Sequence, residues 1–321
     1  MFRELKDNSQ RLKRLHDRAF MLRSCREFFF ERDILEVDCP QISSYASVDT
    51  HIDLINVLPQ GDRLRYLISS PEYPMKRLIA EGIGDCYQLS HVFRDGESGS
   101  RHNPEFTLIE WYRIGYSFEA MIEEAYDLIR LFLGNLPAQT ITYQEAFLKF
   151  AGINPFALTS KELWDFIKDN HLPIYAGCDP HDYDELLNLI LANMIEPYLG
   201  KKQLTALIHF PSTQAALAKV EEIEGIAVAK RFEIYYEGAE LANGYDELQD
   251  SEEQRLRFEK ANKNRRQLGK DSLPIDFRFL EALRTGLPPC CGVAVGFDRL
   301  MMLRHHVEHI ESIIPFSWDK S

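Results

Sequence analysis

The sequence has no long apolar run. Nothing in it approaches the roughly 20 consecutive apolar residues of a membrane span, and its opening, MFRELKDNSQRLKRLHDR, is charged throughout, with no signal-peptide core. A basic balance is missing too: 37 Lys and Arg stand against 50 Asp and Glu, a net charge of −13. Affinity for nucleic acid comes from neutralising phosphates, so this balance counts against a dedicated nucleic-acid domain. Only NKNRRQLGK (262–270) gathers basic residues into a short cluster. Cysteine is sparse. Cys25, Cys39, Cys86, Cys178, Cys290 and Cys291 show neither CxxC spacing nor a disulfide-like rhythm, which predicts free thiols in a reducing cytoplasm. Repeats, low-complexity tracts and long linkers are also missing, which excludes solenoids and tethered modules.

The 321 residues suffice for one large domain or two medium ones. An apolar content of 45% and a charged content of 27% are those of an ordinary globular protein. Helical spacing of Leu12, Leu15, Phe20, Leu22, Cys25 and Phe29 predicts an amphipathic helix over 11–32, followed by a strand in ILEVDCP. In SSPEYPMKRLIAEG, Ser70 is the expected N-cap, Pro71 the first helical residue and Gly82 the stop. CYQLSHVF (86–93) and 106–113 read as two strands of an antiparallel hairpin. Residues 118–200 read mostly as helices, and strands return at 205–210, 226–237 and 239–248. SEEQ (251–254) reads as a capping sequence, and CCGVAVGF as a last strand running into the helix DRLMMLRHH. Strand clusters separated by helices without a βαβ rhythm predict an α+β fold around an antiparallel sheet flanked by helices.

The stretch FRDGESGSRHNPEFTLIEWYR (93–113) poses the functional question. Alternation puts Phe106, Leu108, Glu110 and Tyr112 on one strand face, and Thr107, Ile109, Trp111 and Arg113 on the other. A carboxylate and a phenol among apolar neighbours are costly to bury unless something cationic binds there. His305, His306 and His309 lack a third metal ligand in pattern and are read as solvated or as compensating the helix dipole, Asp182 and its neighbours as a helix start, and Cys290–Cys291 as buried thiols.

Three segments stand together: LEVDCP, the stretch from Arg94 through RHNPEF, and GVAVGFDRL, which delivers Arg299 at a helix start. In this order they resemble motifs 1, 2 and 3 of the class II aminoacyl-tRNA synthetases, at about 11–40, 86–113 and 290–305. RHNPEFTLIEWY and ELANGYDEL narrow the resemblance to the lysyl branch. It covers about 10–315 as a single catalytic domain spanning 1–321, with no anticodon-binding domain and so no dedicated tRNA-binding domain. SPEYPMKRLIAEG, EWYR and Ala294 resemble the truncated paralogues of that branch, the elongation factor P–(R)-β-lysine ligases.

The resemblance implies ATP and Mg²⁺ as cofactors, (R)-β-lysine as substrate, elongation factor P as acceptor protein, a cytoplasmic homodimer and no membrane. Arg94 and Arg299 are the implied catalytic residues. ATP falls to these two and to Asp95, Gly96, Glu97, His102, Asn103, Phe106, Glu240, Leu241 and Gly296, with Phe106 and Arg299 sandwiching adenine. The substrate falls to Ser70, Pro71, Glu72, Glu110, Tyr112, Asn243, Glu247 and Ala294, and Mg²⁺ to Glu233 and Glu240. The family's motif 2 reads Arg-x-Glu, whereas here Asp95 and Gly96 follow Arg94 and Glu97 comes one position late. Either the Gly96 backbone makes the adenine contact or Glu97 reaches it by a loop shift. The same motifs also suit a lysyl-tRNA synthetase fragment or a catalytically silent regulator, although a silent paralogue has no need of Arg94, Glu240 and Arg299 together. The expected dimer face is Phe20, Cys25 and Phe29.

Overall fold

The computed structural model describes residues 2–45, 47–61 and 63–321, with side chains from residue 9 onward. The chain divides into two compact units, Met1–Gly134 with Leu248–Ser321, and Asn135–Glu247.

The first unit opens on helix α1 (Phe2–Phe30), which starts well before the residue 11 that apolar spacing indicates. Strand β1 (Leu35–Glu36) follows, then β2 (Ile42–Ser43), β3 (Asn56–Val57) and β4 (Arg65–Leu67), which form a small sheet in the order β2-β4-β3. Helix α2 (Glu72–Ala80) leads to β5 (Cys86–Phe93), β6 (Glu105–Ile114) and helix α3 (Phe118–Leu133). The expected hairpin is present: β5 pairs antiparallel with β6 from Cys86↔Tyr112 to Phe93↔Glu105. β1 pairs parallel with β5, so the sheet is mixed.

The second unit begins with β7 (Ala138–Thr142), a strand that the helical reading of 118–200 misses, and helices α4 (Tyr143–Phe150), α5 (Ser160–Asp169) and α6 (Tyr183–Ile190). Thr142 and Thr159 start α4 and α5 with capping boxes, and Asp182 caps α6. Strands β8 (Leu204–Pro211), β9 (Val220–Ile223), β10 (Ile226–Tyr236) and β11 (Ala239–Asp246) complete it. β10 pairs antiparallel with β8, β9 and β11, and β7 pairs parallel with β8. Tyr143, Phe147, Leu163, Leu186 and Phe210 belong to one buried core in this unit.

The chain returns to the first unit through α7 (Ser251–Gln267), α8 (Phe277–Gly286), β12 (Cys290–Gly296) and α9 (Phe297–Arg304). The cap of α7 is Asp250, whose carboxylate accepts from the Glu252 and Glu253 N–H groups; Ser251 is the first helical residue instead. β12 lies antiparallel to β6, from Cys290↔Ile114 to Gly296↔Leu108.

Phe29 is fully buried, stacked on Tyr87 at 4.1 Å and edge-on to Trp111 at 5.3 Å. Cys25 is buried as well. Cys25 and Phe29 hold α1 against the sheet and cannot form a dimer face, which corrects the expectation for these two; the outward apolar groups include Leu12, Phe20, Phe30 and Leu35. Burying an aromatic side chain of this size stabilises by about 1.5–3 kcal/mol, so the inward choice wins. All six cysteines are free, Cys290 and Cys291 buried among them.

Candidate active site

The register of β5, β6 and β12 decides what stands on the sheet face carrying Glu110. Cross-strand partners point the same way, so Gly292 lies beside Tyr112, Ala294 beside Glu110 and Gly296 beside Leu108. On the other flank Gln88 lies beside Glu110 and Val92 beside Phe106. Beside Leu108, Glu110 and Tyr112, β12 therefore contributes nothing larger than the Ala294 methyl group, which leaves space next to a buried carboxylate.

That carboxylate is fully engaged. Glu110 Oε1 accepts from the Tyr112 hydroxyl at 2.7 Å and Oε2 from the Ser70 hydroxyl at 2.8 Å. Ser70 Oγ in turn accepts from the Glu72 N–H at 2.9 Å. Pro71 is the N-cap of α2 and makes no side-chain cap, so Ser70 binds the helix start from one residue earlier than a cap would. Glu72 Oε1 receives the ammonium of Lys76 at 2.6 Å, one helical turn on, where that ammonium also lies 5.8 Å from the rings of Tyr112 and Phe279. Lys76 is only 1% exposed. Motif reading missed it, although i, i+4 spacing from Glu72 was a usable signal. Burial pushes the Glu110 carboxyl up to about 7, the nearby Glu72 adds to this, and Tyr112, Ser70 and Lys76 oppose it.

Beyond β5 the chain turns at Gly96, whose φ of +74° suits glycine. Arg94 lies over the Phe106 ring at 5.0 Å and 3.7 Å from the Glu97 carboxylate, and its buried Nε has no hydrogen-bond partner among the described residues. Glu97 thus faces Arg94. Arg299 meets His102 at 3.2 Å. Asn103 is buried; its amide donates to Glu105 O at 2.7 Å and its oxygen accepts from the Trp318 N–H at 2.9 Å. Trp318 is a contact that no motif indicated.

Asp298, the residue before Arg299, ties the motifs together. Its carboxylate accepts from Arg18 Nη1 at 2.5 Å and from the Thr107 N–H at 2.6 Å, while Arg18 Nη2 donates to Thr107 Oγ1 at 2.7 Å. One buried ion pair thereby joins α1, β6 and α9 immediately before Arg299.

The second unit carries the other residues singled out in the sequence. A bulge between Ile234 and Tyr235 pairs Glu233 with Asn243 and Tyr235 with Glu240. The extra residue is Leu241, buried, and it puts Glu240 and Asn243 on one face despite their odd spacing. Glu233 is held by Arg231 Nη2 and by the Tyr235 hydroxyl, each at 2.5 Å. Burial pushes the Glu233 carboxyl up to about 7; Arg231 opposes the rise and Glu240 adds to it. Glu247 is fully buried. Two carboxylates on one strand pair provide hard oxygen donors but not a closed cage, and no cluster of three or more metal-ligating side chains occurs among the described residues. Such a pair fits Mg²⁺ whose remaining ligands come from phosphates and water.

The family model of tRNA synthetases class II (D, K and N) matches residues 2–320. The chain is 42% identical to the elongation factor P–(R)-β-lysine ligase of Haemophilus influenzae (strain PittGG) over 315 residues, 97% of this chain and 96% of that protein. The proteins of the same name from Avibacterium paragallinarum (42% over 311 residues, 95% of each) and Pasteurella multocida (40% over 313 residues, 96% of each) are similar along the same span. With the hairpin arginine, the small-residue strand and the following helix arginine found in motif order, the chain belongs to the class II tRNA synthetase family of the D, K and N type.

Proposed function

We propose that this chain is an ATP-dependent, AMP-forming ligase that joins (R)-β-lysine to a lysine side chain of elongation factor P. The observation that carries this reading is the pair Glu72 and Glu110, joined through Ser70, beside a strand reduced to Gly292, Ala294 and Gly296. A diamine needs anionic partners for its ammonium groups, and space over the sheet. The substrate carboxylate attacks the α-phosphate of ATP to give an aminoacyl-adenylate and pyrophosphate. The acceptor amine then attacks the acyl carbon, forming the amide and releasing AMP.

Arg94, with its unpartnered Nε, is suited to bridge the substrate carboxylate and the α-phosphate, because a guanidinium offers a fork to two oxyanions. Phe106 and Arg299 take the adenine by stacking and cation–π contact, with His102, Asn103 and the Asp95–Glu97 turn on the nucleotide side. Glu233 and Glu240 would hold Mg²⁺, which when bound withdraws charge from the phosphates. Asn243 and Glu247 keep the role in amine recognition, and Leu241, with its side chain buried, offers ATP only its backbone.

Pyrophosphate exchange with lysine isomers tests the reading. Exchange should be fastest with (R)-β-lysine. A preference for α-lysine would point to a tRNA synthetase fragment, and no exchange with any isomer to a silent paralogue.

Ala294 stands directly opposite Glu110, so its methyl group narrows the floor where the amino-acid backbone would lie. One methyl in a tight pocket is worth about 1–3 kcal/mol, or roughly 10- to 200-fold. Ala294→Gly should therefore raise kcat/KM for α-lysine more than for β-lysine. If the ratio of the two stays put, Ala294 is only packing.

Glu110 gives a pH signature. A carboxyl raised to about 7 is partly protonated near neutral pH in the free protein, and an ammonium bound beside it should drive that proton off. Affinity for the diamine should rise from about pH 6 to about pH 8, and Glu110→Gln should flatten the profile in titration calorimetry. A flat wild-type profile would contradict the assignment. Stability runs the other way: a carboxyl raised from 4.5 to about 7 contributes fully below 4.5, and that contribution fades as pH rises through 7.

The chain should act in the cytoplasm as a homodimer. No helix among the described residues is long and apolar enough to cross a membrane. Phe30, 83% exposed, and Leu35, 50% exposed, border a surface cavity lined also by Ile34 and Tyr87, an association liability if left bare. Light scattering at micromolar protein should return twice the chain mass of 37.3 kDa, and a monomer mass would remove this part of the reading.

A further inference from the structure

Within the basic cluster 262–270, Lys263 and Arg266 are exposed, but Arg265 and Lys270 turn inward. Arg265, on α7, is 3% exposed, and its guanidinium is spent inside the protein. Nε donates to Asp271 O at 2.8 Å, Nη1 to Asp49 O at 3.1 Å and Ile52 O at 3.0 Å, and Nη2 to Asp53 Oδ1 at 2.9 Å. Gly269, at φ +73°, reverses the chain after the helix, with the Lys270 N–H on Arg265 O at 2.9 Å. Lys270 Nζ can then reach Asp53 Oδ2 at 2.7 Å and His51 O at 3.2 Å. Burial would raise the Asp53 carboxyl, but hydrogen bonds from Lys270 and Arg265 hold it below its ordinary value.

The loop gripped in this way touches both halves of the site in this unit. Asp53 O accepts from the Asp95 N–H at 2.9 Å, and Asp95 directly follows Arg94. At the other end of the loop, the Val48 N–H donates to the Tyr73 hydroxyl at 3.0 Å, and Tyr73 directly follows Glu72. Tyr73 is fixed in turn by stacking on Phe279 at 4.5 Å. A single clamped loop thus sets the main chain beside the proposed phosphate-bridging arginine and beside the proposed amine-binding glutamate.

We propose that Arg265 is a positioning residue for adenylate formation, acting through Asp53 and the 48–53 loop to hold Arg94 and Glu72 in mutual register. The inference rests on the activation chemistry proposed above. A lysine at 265 carries the charge but cannot serve the three carbonyls and the Asp53 carboxylate that the fork reaches. A misplacement of about 1 Å at a reacting group can cost 10²-fold. Arg265→Lys should therefore lower the pyrophosphate-exchange kcat per titrated active site roughly 10- to 100-fold, with KM for β-lysine changed far less. Lys270→Met, which removes the outer hold on Asp53 and on the His51 carbonyl but leaves Arg265 in place, should do the same to a smaller degree, and it decides the matter if Arg265→Lys does not fold.

Hydrogen–deuterium exchange separates this from general destabilisation and from failure of the activity reading. The Asp95 amide should lose protection in both variants while the β6 and β12 amides keep theirs. Unchanged kcat per titrated site, or an Asp95 amide as protected as in wild type, overturns the proposal. Wild-type protein that exchanges no pyrophosphate overturns the activity reading, and the positioning role with it.

Discussion

Arg94→Ala should reduce adenylate formation about 10²- to 10³-fold, the usual loss when one preorganised charge contact is removed from a transition state. The fold should survive, because the Arg94 guanidinium holds little together. Its ion pair with Glu97 is long, at 3.7 Å and part-exposed, and pairs of that kind contribute about 0–1 kcal/mol. The side chain also lies over the Phe106 ring, and its buried Nε has no partner among the described residues. A buried donor left without a protein acceptor adds nothing to stability, so removing Arg94 gives up little that the fold depends on. Far-UV and near-UV circular dichroism should match wild type while pyrophosphate exchange collapses. Near wild-type exchange would mean that Arg94 does not contact the reacting groups.

Arg18→Met should have the largest effect on stability, about 3–5 kcal/mol, since it leaves the Asp298 carboxylate buried without its cation. Asp298 is 3% exposed and Arg18 7%, so water cannot take over. Chemical denaturation should show the loss as a lowered midpoint. Replacing both partners, Arg18→Met with Asp298→Leu, should recover part of it, because an apolar pair avoids the unpaired charge. Activity should not recover, since Asp298 also holds the Thr107 N–H and precedes Arg299. An unchanged midpoint in Arg18→Met would show that the pair is not what joins α1, β6 and α9.

What the sequence made legible and what it hid divide along physical lines. The face shared by Phe106, Glu110 and Tyr112 follows from strand alternation, which has a period of two whatever the tertiary setting. Register with β12, and hence the lane of Gly292, Ala294 and Gly296 beside them, depends on which strands pair, and motif order alone suggested it. Cys25 and Phe29 were assigned to an outer face because helical spacing identifies an apolar stripe without saying what covers it. Tyr87 and Trp111 cover it. Lys76 apart, the residues missed act through long-range bonds: Arg18 reaches Asp298, Arg265 reaches Asp53, and the Trp318 N–H reaches Asn103. A basic cluster such as 262–270 looks alike in sequence whether it faces solvent or a ring of carbonyls. The bulge at Leu241, which aligns Glu240 with Asn243, likewise becomes visible only from the pairing of β10 with β11.

Intact-mass spectrometry of elongation factor P, incubated with this protein, ATP and either (R)-β-lysine or α-lysine, tests the proposed ligation most directly. The expected result is one added β-lysyl group, lost water accounted for, on a single lysine of the acceptor, with α-lysine added far more slowly. An unmodified acceptor under conditions where pyrophosphate exchange is brisk, or a clear preference for α-lysine, would contradict it.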